Sequence, residues 1–183
     1  MGGLLGVSHA IDVLNRMVSR LAVWAVLISC LVSAGNAGVR YLLSYSSNAW
    51  LEVQWYLFTV IVMLGAAYTL HRNEHVRVDL VYGNLSPRAR LWVDVGGLIF
   101  FLGPAMALLA WMTWPFFLDS LLRHETSSNA GGLLRWPVKL ILPVGFALIF
   151  LQGVSELIKR VAALCGAGAE EVELVAEYAR PEQ

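Results

Sequence analysis

Four long stretches without a charged residue run through this chain of 183 residues: Leu21–Val39, Val53–Leu70, Val95–Leu118 and Leu140–Ser155. A helix needs roughly 20 residues to cross the ~30 Å hydrocarbon core of a bilayer. The first three stretches reach that length alone or with a flank. The fourth reaches it if Lys139 and Glu156 extend their long side chains to the two interfaces. With 58% hydrophobic and 14% charged residues, little remains for a soluble domain. The sequence predicts an all-α membrane protein with four transmembrane helices, preceded by an N-terminal interfacial amphipathic helix.

The basic residues orient the spans. With the N-terminus in the cytoplasm, the inner segments carry Arg16, Arg20, Arg72, Arg77, Arg88, Arg90, Lys159, Arg160 and Arg180, and the outer ones only Arg40, Arg123, Arg135 and Lys139. That excess on one side is the positive-inside bias. Both termini are therefore expected to be cytoplasmic. Tyr41, Tyr45, Trp50, Trp55, Trp111, Trp114 and Trp136 fall near the outer boundary and Trp24, Tyr68, Tyr82 and Trp92 near the inner one, where amphipathic rings favour the headgroup level. A formal net charge of zero argues against a nucleic-acid partner, which usually needs a basic face. Cys30 and Cys165 fall mid-span and in the tail, so they are not expected to pair. The first apolar run exceeds the ~7–15 residues of a signal-peptide core and is read as retained.

Three regions follow. In residues 1–20, Leu4, Val7, Ile11, Leu14 and Val18 recur at spacings of three and four, with Ser8, Asp12, Asn15, Arg16 and Ser19 between them. That pattern fits a helix lying along the inner interface or a cytoplasmic extension of the first span. Residues 21–160 hold the four spans, and residues 161–183 form an acidic cytoplasmic tail. A short link at Ser44–Asn48 makes the first two spans antiparallel neighbours. Ser86–Pro87 is a helix start, with serine capping and proline at the first helical position. Gly103–Pro104 marks a kink in the third span. Small residues from Ser29 to Gly38 thin one side of the first helix, which suits close packing in lipid, and Asn36 among them should face protein. No internal repeat appears, so the inverted-repeat signature of a self-sufficient carrier is missing.

The charged residues near the span ends read as structural. Arg40 and Glu52 lie at similar depth across the short outer link and are expected to pair. Asp94, about two turns into the third helix, is expected to meet Arg90, Arg72 or Arg77. His71 and His75 have the spacing of helical metal or haem ligands. The apolar runs contain no histidine to face them, so both are read as interfacial. No nucleophile–base pair, phosphate loop or metal cluster supports an enzyme.

The segment Gly65-Ala66-Ala67-Tyr68-Thr69-Leu70-His71-Arg72-Asn73-Glu74-His75-Val76-Arg77-Val78-Asp79-Leu80 resembles the small membrane subunit (DctQ-type) of the tripartite ATP-independent periplasmic, or TRAP, transporters. In that family a Glu opens the second helix, as Glu52 does here, and a basic start to the third helix follows, here Arg88 and Arg90. Val53 stands where the family often has a second acidic residue. The resemblance covers about Val39 to Arg160. It implies a large TRAP membrane subunit and a periplasmic substrate-binding protein as partners, besides membrane lipids. Sodium-coupled import of a carboxylate would then be carried by the large subunit, with this chain as scaffold and no cofactor of its own. The stretch Glu125–Gln152 resembles a branch associated with keto acids or other monocarboxylates. Arg40, Glu52, Arg72, His75, Arg77, Asp79 and Asp94 become candidates for structure and interaction, with His71–Asp79 as an ordered clasp. Two alternatives are a respiratory-complex anchor and a self-contained small transporter.

Overall fold

The computed structural model describes residues 2–45, 47–75, 82, 85–129 and 131–166. Among the described residues five α-helices succeed one another: α1 (Gly2–Leu43), α2 (Asn48–His71), α3 (Pro87–Gly97), α4 (Gly103–Leu122) and α5 (Trp136–Leu164). A π-helical turn, Leu98–Leu102, joins α3 to α4. The two run on as one helix, so four helices are long and apolar enough to cross a membrane.

Local chemistry sets their ends. The Ser47 hydroxyl accepts from the Ala49 N–H at 3.3 Å and opens α2. Ser86 does the same for α3 through the Ala89 N–H at 3.4 Å, with Pro87 at the first helical position. Pro104 lacks an N–H, and its ring crowds the carbonyl four residues back. The turn widens there instead of breaking, and the Gly103 N–H reaches the Leu98 carbonyl.

The bundle is organised around α5. Its most apolar window is 39% buried against 6–11% for the other spans, and it touches α1, α2, α3 and α4. Small residues allow this. A Cβ added to Gly145 would lie 2.7 Å from the Met63 side chain, and one added to Gly153 would lie 2.6 Å from Leu102. In lipid such close approach is a main source of helix association. The N-terminus of α1 and the C-terminus of α5 lie at one end, here the termini end, because α1 and α5 are antiparallel: Ser8 meets Ser155 and Asn15 meets Gln152.

Polarity is arranged inside out. Phe100, Phe101, Trp111 and Met112 are exposed, while Ser8, Asp12, Asn15, Gln152, Ser155 and Glu156 are buried. Lipid tails cover apolar side chains without cost, whereas polar groups must find partners within the protein. The same rule sets the faces of residues 1–20. The periodicity is present, α1 runs unbroken from Gly2 to Leu43 as an extension of the first span, and Ser8, Asp12, Asn15 and Ser19 face inward. Leu4, Val7 and Leu14 face out.

Candidate functional site

Two polar layers lie near the ends of α2. Glu52 and His71 are roughly 28 Å apart along its axis at about 1.5 Å per residue, close to the thickness of a hydrocarbon core.

The layer at the termini end is built from two stripes. On α1, Ser8, Asp12 and Asn15 share a face; on α5, Gln152, Ser155, Glu156 and Lys159 do. Asp12 is the hub. Its Oδ1 accepts from the Ser155 hydroxyl at 2.8 Å and from Gln152 Nε2 at 2.9 Å, and its Oδ2 meets Lys159 Nζ at 2.7 Å. Asn15 Nδ2 donates to Gln152 Oε1 at 2.7 Å, and the Ser8 and Ser155 hydroxyls lie 2.7 Å apart. His71, the last residue of α2, points Nδ1 at Asp12 (3.4 Å) and Glu156 (3.7 Å). Lys159 also reaches Glu156 at 3.0 Å. Arg160 bonds Glu156 on its own helix and Asp94 of α3, the latter at 2.9 Å. The network therefore ties α1, α2, α3 and α5 together with charge-assisted bonds in a region poor in water.

Asp12, His71 and Glu156 bring three ligand atoms within 4.8 Å of one another. The Lys159 ammonium already sits against both carboxylates, so the cation the acids call for is supplied by the chain. The arrangement is suited to holding these helices together.

The layer at the far end centres on Glu52, which is buried at the start of α2. Its Oε1 accepts from Ser127 Oγ and from Asn129 Nδ2, the latter at 2.7 Å, and its Oε2 accepts from the Leu133 N–H at 3.0 Å. The α4–α5 link is thereby folded onto α2. It closes on itself through the Thr126–Leu134 bridge and the Ser127 N–H to Leu133 carbonyl bond at 2.9 Å. Gly132 is needed there, since a Cβ would fall 2.2 Å from the Ser127 carbonyl oxygen. Tyr56 donates to the Leu134 carbonyl at 3.1 Å. Lys139 bonds Glu125 and sits 3.9 Å over the Phe116 ring. That ammonium holds the Glu125 carboxyl below the usual glutamate range.

One expected pairing changes and others gain members. Glu52 pairs with the α4–α5 link and not with Arg40, which is exposed; a folded loop offers three donors to a fixed carboxylate, and an arginine at a helix end keeps its hydration. Arg160 of α5 is a partner of Asp94, a residue far along the chain that adjacency could not suggest. Arg72 lies 3.4 Å from Glu74 with both side chains more than half exposed, a contact of little energetic weight. His75 is in an exposed turn, apart from the cluster that His71 joins. Arg77 and Asp79, and with them the expected clasp, lie outside the described residues. Sequence reasoning missed Asp12, Gln152 and Lys159 as a network. The available signal was two polar stripes at helical spacing, 8-12-15-19 and 152-155-156-159, in helices whose other residues are mostly apolar.

Residues 30–163 match the family model for the DctQ component of tripartite ATP-independent periplasmic transporters. No curated protein and no solved structure matches the chain. The match spans well over half of the sequence, and the chain belongs to the DctQ family.

Proposed function

We propose, starting from membership of the DctQ family, that this chain is the scaffold half of a sodium-coupled importer of an organic acid. A TRAP small permease subunit is what the family match identifies. The finer reading is that a large membrane subunit binds carboxylate and sodium, a periplasmic protein delivers the substrate, and this chain broadens the stationary part of the assembly. It would sit in the inner membrane with the termini end cytoplasmic, as the distribution of arginine and lysine favours.

The family match carries the reading, and the use of polar groups supports it. A carrier needs mid-membrane groups free to hold an anion and its coupling ions, usually at broken helix ends. Here Asp12, Glu156, Lys159 and Arg160 are engaged with one another at the termini end. The mid-span hydroxyls of Thr59 and Thr113 donate back to their own helices, to Trp55 and Leu109.

Reconstitution tests this directly. In proteoliposomes the chain alone should give no sodium-driven carboxylate uptake, whereas uptake should appear with the large subunit and binding protein. Robust uptake by the isolated chain would refute the scaffold role.

A further inference from the structure

The far-end layer around Glu52 encloses a cavity of about 260 Å³ between α2, the α4–α5 link and the first turn of α5. Glu52, Trp55 and Tyr56 of α2 line it together with Arg135, Val138 and Lys139 around the start of α5. Its polar groups are engaged with one exception. Glu52 holds three donors from the link, Tyr56 donates to the Leu134 carbonyl, and Lys139 bonds Glu125. The Arg135 guanidinium is half-buried, yet no acceptor among the described residues lies within hydrogen-bond or ion-pair reach of it. Its charge acts on Glu52 and Glu125 only from a distance. The other arginines at this end differ: Arg40 is exposed, and Arg123 lies 2.7 Å from Asp119.

Charge, wall chemistry and depth together select the guest. Withdrawing a cation from water is costly unless acceptors replace the lost hydration. Among the charges that line the cavity, Lys139 is met by Glu125 and Glu52 by its three donors, which leaves Arg135 as the one without a counterpart. A guanidinium presents a planar fork of donors that matches the oxygens of a phosphate. The walls beside it are apolar. Val138 and the rings of Trp55 and Tyr56 suit the glycerol and the first methylenes of an acyl chain, and Trp55, 66% exposed, carries that surface out towards the lipid. A fully hydrated anion gains nothing from such walls. The cavity also lies at the level of Glu52, the end of a span, where headgroups and amphipathic rings meet. Its volume of about 260 Å³ falls below the ~300–1,000 Å³ of pockets that enclose drug-sized molecules, so it admits a headgroup and leaves the chains outside.

We propose that this cavity binds the phosphate of a phospholipid from the leaflet at the Glu52 end, with the Arg135 guanidinium as its donor. The bound lipid closes the joint between α2, the α4–α5 link and α5. Such a site requires only that the chain crosses the membrane, and it is independent of which subunits join it.

The test titrates the purified full-length chain in maltoside detergent and counts bound species by native mass spectrometry. The probes are phosphatidylglycerol, a diacylglycerol with the same chains, and inorganic phosphate. Phosphatidylglycerol should bind about tenfold more tightly than either of the others, on the scale of a charge-assisted contact. Arg135→Gln should weaken it by about tenfold, Arg135→Lys by less, and Arg40→Gln not at all. Val138→Trp fills the cavity while leaving the guanidinium in place, and it should weaken the lipid as much as Arg135→Gln does. Both variants should keep the lipid-free unfolding temperature of the wild type, which separates a lost site from a lost fold. Equal binding of the diacylglycerol would overturn the phosphate contact, and inorganic phosphate that binds as tightly as the lipid would make the guest a free anion. Unchanged affinity in Arg135→Gln or in Val138→Trp, an equal loss in Arg40→Gln, or no phosphatidylglycerol on the wild type would each overturn the site.

Discussion

Replacing Asp12 by alanine removes the acceptor at the centre of the termini-end network. The variant loses the Lys159 ion pair at 2.7 Å and the bonds from Ser155 and Gln152 at 2.8 and 2.9 Å. Breaking a buried pair by deleting one partner typically costs about 3–5 kcal/mol. Two features reduce that figure here. Lys159 and Gln152 keep Glu156 as an alternative acceptor, at 3.0 and 3.2 Å, and polar contacts between membrane helices average only about 0.6 kcal/mol each. The expected loss is therefore about 2–4 kcal/mol. Unfolding of the purified chain in mixed detergent should show it, and the cycle with Lys159→Ala should give a coupling of about 1–3 kcal/mol. A loss below about 0.5 kcal/mol with additive single variants would refute the claim that Asp12 ties α1 to α5.

At the far end, Arg40→Ala should change stability by less than about 0.5 kcal/mol, as for a surface substitution. Glu52→Gln should speed amide exchange in residues 125–135, and the swap Arg40→Glu with Glu52→Arg should bring no rescue; recovery would restore the helix-end pair as the better account. At the helix crossings, Gly145→Leu and Gly153→Leu should each destabilise the chain by about 1–3 kcal/mol, the usual cost of overpacking, through contact with Met63 and Leu102. Unchanged unfolding of both would mean that the contacts of α5 with α2 and with the π turn are looser than their separations indicate.

Number, length and order of the spans were legible in the chain because they depend on local composition. The apolar runs place all four, and Ser86–Pro87 opens α3 where capping chemistry predicts. The resemblance around Gly65–Leu80 pointed to the family that the match over residues 30–163 establishes. Periodicity also marked the face of residues 1–20 but not its direction: the pattern is the same whether water or protein takes the polar side, and in lipid it is protein.

Pairing was decided by tertiary structure. Sequence proximity suggested Arg40 for Glu52, yet the observed partners come from Ser127, Asn129 and Leu133, and Asp94 has in Arg160 a partner from a distant helix that proximity did not suggest. A helix exposes a charge to every neighbour at its depth, and which neighbour arrives depends on the crossing of α5, set by glycines whose packing leaves no sign of its partner in the sequence. Composition thus determined that the chain crosses the membrane four times. Only the packing of α5 against the other helices determined which buried charges meet.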